Sequence, residues 1–242
     1  MSATIVLRLA LAGLVACTSS SAGDDAGTDS GGTNTFKCGT GGITGTVRLV
    51  DGTTLGPIAG ATVTGLGCGA TTTDDQGSVQ ADLQQGQLIK VELSANGYIS
   101  AHAEATPQAS GFFRTVFMEP VAAKTTVFTG WTSGSGYAIA LISPNGTDAG
   151  ACSTSDQLVA SVNGHPEIPV GYLTDPITRS STATSTSSLG LAVFGPMPPG
   201  TYEFDAVKTG CAAGPDHGVY FLWPQTMDVE ADTLSMVQLK LP

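Results

Sequence analysis

The sequence predicts an all-β chain of two tandem antiparallel β-sandwich domains, set behind a signal peptide and a disordered linker. Three observations carry that expectation. Short β-branched and aromatic runs alternate with clusters of Gly, Asn, Asp and Pro, which is the pattern of strands joined by tight turns. Charged residues are only 12% of the 242 residues while glycine alone supplies 32, and no apolar stripe recurs at helical period over a useful length. A turn pattern also repeats: Gly77, Gly86 and Gly97 are followed by Gly190, Gly200 and Gly210 at offsets of 113, 114 and 113 residues.

Residues 1–16 read as a targeting segment, with Arg8 as the positive charge and Leu9 to Ala16 as the apolar stretch. That stretch is too short for a bilayer crossing, which takes about 20 residues. Leu14-Val15-Ala16-Cys17 resembles the lipobox of bacterial lipoprotein signals. The resemblance implies a diacylglyceryl thioether on Cys17 and hence the membrane as a partner through a lipid anchor. With Thr18 rather than aspartate next, it implies placement at the outer membrane or cell surface. Two acyl chains are enough for stable anchoring. Residues 17–37 hold Ser, Gly, Thr and Asp and almost no large apolar side chain, so they read as a flexible tether, with a reach of about 25 Å. Asp24, Asp25 and Asp29 lack the organised loop and the glutamate that a calcium site needs.

The first sandwich is expected over 38–120. Ile43, Gly45, Val47 and Leu49 alternate with Thr44, Thr46, Arg48 and Val50, one face dry and the other wet. Ala61, Val63 and Gly65 continue the pattern after a loop with Gly56, Pro57 and Gly60. Asp74-Asp75-Gln76-Gly77 suits a tight turn into Val79, Ala81 and Leu83; Gln84-Gln85-Gly86 turns the chain again into Ile89, Val91 and Leu93. Ile99 to Ala105 and Phe112 to Met118 supply the last strands. His102 and Glu104 lie two apart and read as exposed strand residues, since two ligands do not make a zinc site.

On Gly45-Thr46-Val47, Gly60-Ala61-Thr62-Val63, Thr73-Asp74-Asp75-Gln76-Gly77, Gly86 and Gly97-Tyr98, this region resembles the carboxypeptidase regulatory-like domain. That is a transthyretin-like or carbohydrate-binding-like sandwich of about seven strands. The resemblance implies a non-catalytic accessory module and brings no active-site residue with it.

The second, related sandwich is expected over 121–242, where Thr129-Gly130 matches Thr44-Gly45 and Cys152 matches Cys68 at offsets of 85 and 84. The jump to 113 places an inserted loop at 153–188, with Asn163-Gly164 as the turn of a hairpin between Leu158–Val162 and Ile168–Leu173. The insert reads as decoration or as a binding loop. Leu191–Phe194, Tyr202–Val207, Val219–Trp223 and Leu234–Leu241 would build the second core.

Once Cys17 is set aside, Cys38, Cys68, Cys152 and Cys211 remain, two in each half. An even count in an exported chain suggests disulfides. Keeping each bridge inside one domain pairs Cys38 with Cys68 and Cys152 with Cys211.

An excess of 20 acidic over 9 basic side chains argues against nucleic acid as a partner. Neither a Gly-x-Ser-x-Gly elbow nor a His-Glu-x-x-His motif occurs, and Gly134-Ser135-Gly136 has the wrong spacing. His165-Pro166-Glu167 and Asp216-His217 read as loop pairs. No cofactor or metal is expected. Sugar binding needs an exposed ring to stack on, and Trp131, Tyr137, Tyr172, Tyr220 and Trp223 are the candidates. The expected function is therefore a non-enzymatic cell-envelope lipoprotein with a structural, adhesive or partner-binding role towards a glycan or envelope protein. A carbohydrate-binding surface protein and a secreted hydrolase are the alternatives.

Overall fold

The computed structural model describes residues 37–67, 69–110, 112–144, 151–175, 178–217 and 221–241, and alternation of apolar and polar residues sets the strands of its first half. These strands are β1 (Lys37–Cys38), β2 (Ile43–Asp51), β3 (Thr62–Thr64), β4 (Thr71–Thr72), β5 (Ser78–Leu83), β6 (Ile89–Ser94), β7 (Ala101–Pro107) and β8 (Phe112–Met118). The short helix α1 (Ala123–Thr126) leads into the second half. There follow β9 (Gly136–Ser143), β10 (Val159–Val162), β11 (Val170–Asp175), β12 (Thr178–Arg179), β13 (Leu191–Met197) and β14 (Gly200–Lys208). Then come β15 (Cys211–Ala212), β16 (Gly214–His217), β17 (Phe221–Trp223), β18 (Thr226–Val229) and β19 (Leu234–Lys240). The described chain is all-β, as expected.

Both halves repeat one plan. In the first, β2 lies between antiparallel β5 and parallel β8, and β6 between antiparallel β3 and β7. In the second, β9 lies between antiparallel β13 and parallel β19, and β14 pairs antiparallel with β10, β15 and β18. Each pair of sheets closes on its own core. The first is built from Val47, Leu49, Val63, Val79, Leu93 and Met118, the second from Ile142, Val162, Phe194, Phe204, Met227 and Leu239.

The glycine repeat has a geometric cause at one pair of positions. Gly77 (φ +72°) and Gly190 (φ +65°) each turn the chain into the strand that follows. Their carbonyls accept from Leu49 N at 2.7 Å and from Ile142 N at 2.8 Å. A Cβ there would lie 2.5 Å from the Leu49 carbonyl oxygen and 2.1 Å from that of Ile142, so only glycine fits both the close approach and the left-handed backbone. The Thr-Gly and cysteine matches are not structural equivalents. Thr129-Gly130 precedes β9, whereas Thr44-Gly45 lies inside β2, and Cys152 precedes β10 whereas position 68 follows β3. In a chain this rich in Gly and Thr, such a dipeptide match arises by chance.

The stretch 153–188 is not a loop laid over a finished sandwich. Asn163-Gly164 does turn tightly, with Gly164 at φ +75° and His165 N bonded to Val162 O at 3.1 Å. The two arms then separate: β10 pairs with β14 in one sheet and β11 with β13 in the other. Leu158, Ala160, Val162, Ile168, Tyr172 and Leu173 are all buried. The hairpin expectation failed because apolar flanks also suit two strands that leave a shared turn for opposite walls of one core.

A continuous sheet of eleven strands joins the halves, in the order β12-β11-β13-β9-β19-β16-β17-β7-β6-β3-β4. β19 runs parallel to β9 on one side and to β7 on the other, where Leu234, Ser235 and Met236 face Ala101, His102 and Ala103. A third apolar cluster, with Ile99, Val127, Phe128, Tyr137, Leu173, Val193 and Leu234, fills the space beside this seam.

Candidate functional site

The chemistry-bearing side chains gather at the seam. β6 and β7 pair with Lys90 opposite Glu104 and Glu92 opposite His102. Side chains alternate across a strand, so Ala101, Ala103 and Ala105 enter the first core and His102 and Glu104 point the other way. That face was expected to be wet. Instead the segment Asp228–Glu230 of the second half covers it, leaving His102 1% and Glu104 4% exposed.

One oxygen of Glu104 organises the cluster. Its Oε1 lies 3.0 Å from His102 Nε2 and 3.2 Å from Lys90 Nζ, and accepts from the Asp228 backbone N–H at 3.3 Å. Lys90 also donates to the Asp228 carboxylate, which accepts from Thr201 Oγ1 at 2.6 Å. The bonds to Asp228 and then Glu104 hold the Lys90 ammonium above its ordinary range, while Lys90 and then Thr201 hold Asp228 below the usual carboxylate range. Ser235 Oγ donates to Asp228 O at 2.9 Å and ties β19 into the same group. His102 Nδ1 is buried without a hydrogen-bond partner, and the Glu230 carboxylate lies 3.7 Å from it. Sequence reasoning picked out His102 and Glu104 and missed Lys90, Asp228 and Glu230. The Lys90–Glu104 pairing was readable from the hairpin register, but nothing local brings in a residue 138 positions away.

A second polar centre closes the first half. Asp51 Oδ1 accepts from the backbone N–H of Thr53 at 2.8 Å and of Thr54 at 2.6 Å, and Tyr98 Oη donates to Oδ2 at 2.8 Å. Burial pushes Asp51 up, but those bonds, Thr54 foremost, outweigh it and leave it below the ordinary carboxylate value. Glu119 beside it is 5% exposed and its Oε2 has no partner. Burial, with the Asp51 charge behind it, pushes Glu119 up to about 7.

The aromatic candidates do not form a shared outward platform among the described residues. Tyr137 is fully buried and Tyr172 is 5% exposed. Tyr137 Oη donates to Thr129 O at 3.2 Å, and Tyr172 Oη accepts from Ala160 N at 3.0 Å; burial raises both phenols. Trp131 is partly exposed, but Tyr137 stacks on it at 4.7 Å and 9°, and Lys124 Nζ lies 4.3 Å over its ring. Tyr220 lies outside the described residues, and only the backbone of Trp223, in β17, is described. His165 bonds Glu167 at 3.0 Å on the surface.

Cys152 and Cys211 form a disulfide across 59 residues. The expected Cys38–Cys68 bridge, the signal peptide, the lipidation site Cys17 and nearly all of the linker fall outside the described residues. Among the described residues no group of three or more metal-ligating side chains occurs, and no helix is long and apolar enough to cross a membrane.

No protein-family model and no curated protein matches the chain, so the carboxypeptidase regulatory-like resemblance rests on the residues quoted for it. Among solved structures the chain is similar to a streptococcal ancillary pilin at 10% identity and TM-score 0.25, spanning 83% of this chain and 62% of the pilin. It is also similar to GBS52, the minor pilin of Streptococcus agalactiae, at 11% identity and TM-score 0.27, over 82% of this chain and 95% of that one. A candidate carbohydrate-binding protein from Bacteroides uniformis matches at 11% identity and TM-score 0.28, over 79% and 100%. Likenesses this distant assign no function.

Proposed function

We propose that this chain is a non-enzymatic structural module of the cell envelope, held by a lipid on Cys17 and serving an adhesive or partner-binding role. The observation that supports it is the Cys152–Cys211 disulfide inside a double sandwich whose halves share one sheet. Structural disulfides persist in oxidising, extracytoplasmic surroundings. One sheet runs through both halves, which suits a displayed scaffold. The test is metabolic labelling with an alkynyl palmitate analogue, followed by envelope fractionation. Wild type should carry label and sediment with membranes, and Cys17→Ala should do neither; an unlabelled cytosolic wild type with reduced thiols overturns the proposal. Stacking of sugars on Trp131 would require displacing Tyr137 or Lys124 from its faces, so Trp131→Ala should leave a glycan-array profile unchanged.

A further inference from the structure

We propose that His102 is a proton-operated latch between the two halves, tightening the seam when the surroundings acidify. The geometry defines what the proton does. Glu104 Oε1 lies 3.0 Å from Nε2, and a carboxylate accepts only, so Nε2 carries the hydrogen of the neutral ring. The other nitrogen, Nδ1, then presents a lone pair. It is buried with no hydrogen-bond partner, and 3.7 Å away it meets Glu230 Oε1, another acceptor.

Two lone pairs facing each other make no bond. One proton on Nδ1 changes that, because the imidazolium keeps its bond to Glu104 on β7 and attracts the Glu230 carboxylate of the second half, which closes from 3.7 Å to accept from Nδ1. The charged groups around the ring come from β7, β6 and the β18 segment. β7 supplies Glu104. β6 supplies Lys90, already engaged with Glu104 and Asp228, and Glu92, opposite in register and in contact with Thr64 Oγ1 at 3.4 Å. β18 supplies Asp228, and the residue after its end supplies Glu230. β19 offers only the uncharged Ser235. Carboxylates outnumber the single ammonium around the ring.

The latch does not depend on the lipid anchor, and the experiment separates the two. Glu230→Gln is the chosen variant, because Glu230 is 45% exposed and its removal leaves the core intact. Urea unfolding of wild type and Glu230→Gln is compared at about pH 8 and about pH 5.5. Near pH 8 the variant should be at least as stable as wild type, because the glutamine amide can donate to the Nδ1 lone pair; near pH 5.5 its unfolding constant should rise by about 5- to 10-fold relative to wild type. The same substitution in a His102→Gln background should show no such growth. Imidazole nitrogen shifts of wild type read the state directly: Nε2–H when neutral, with both nitrogens protonated on acidification. A Glu230→Gln effect equal at both pH values, or a His102 ring that carries its neutral-state hydrogen on Nδ1, would overturn the proposal.

Discussion

Glu119 makes the chain less stable as pH rises, and its replacement should reverse that. The side chain is buried, one carboxyl oxygen has no partner, and the Asp51 carboxylate is its neighbour. Its folded-state value of about 7 compares with an ordinary 4.5, so the fold favours the protonated acid. The sign follows from linkage. Below the ordinary value both states bind the proton and Glu119 costs nothing. Between 4.5 and about 7 the unfolded chain releases it while the folded chain keeps it, and stability falls; above about 7 the loss is complete. At ~1.4 kcal/mol per unit, the full loss is about 3 kcal/mol. Glutamine keeps the shape and removes the charge. Glu119→Gln should therefore match wild type near pH 4 and exceed it by up to about 3 kcal/mol near pH 8 in urea unfolding. The difference between the two proteins cancels groups that titrate elsewhere and do not interact with Glu119. If that difference stays flat across the range, or wild type is the more stable at high pH, the reasoning is refuted.

Three further outcomes are expected. Reducing the disulfide, or replacing Cys152 and Cys211 by serine, reopens a loop of 59 residues and should cost about 4 kcal/mol on the chain-entropy account; an unchanged urea midpoint under reductant would contradict it. Gly77→Ala and Gly190→Ala should each cost at least about 2 kcal/mol, because a Cβ meets backbone oxygen at a left-handed φ. Gly86→Ala shares the left-handed backbone but has open space around it, so it should cost only the backbone strain, about 1–2 kcal/mol, and equal losses at all three sites would remove the steric argument. Deleting 153–188 takes out β10, β11 and β12 with their buried residues, so the variant should lose cooperative unfolding and native near-ultraviolet circular dichroism; a sharp two-state transition in the deleted protein would show that those strands are dispensable.

Much of the strand architecture was legible because it is local. The alternation in Ile43–Leu49 and Val79–Leu83 determines which face is buried wherever the strand ends up, and the Asp74–Gly77 turn is closed by Asp74 Oδ1 holding Gln76 N and Ser78 N at 2.9 and 2.8 Å. The insert was misjudged for the opposite reason. Leu158–Val162 and Ile168–Leu173 have strand-like composition, but composition does not say which sheet a strand joins. The candidate site shows the same division: His102 and Glu104 stood out by spacing, while their burial depends on Asp228 and Glu230 from the far end of the chain.

The sequence by itself determined that the chain forms strands and turns, where most of them lie, and which glycine positions recur, because backbone sterics and side-chain alternation act within a few residues. Tertiary structure alone decided that β19 should lie between β9 and β7, fusing two sandwiches through one sheet. It likewise decided that an outward face of β7 should become a buried ionic seam. Pairing partners are chosen by hydrogen bonding and packing between segments far apart in the chain, and no local pattern encodes that choice.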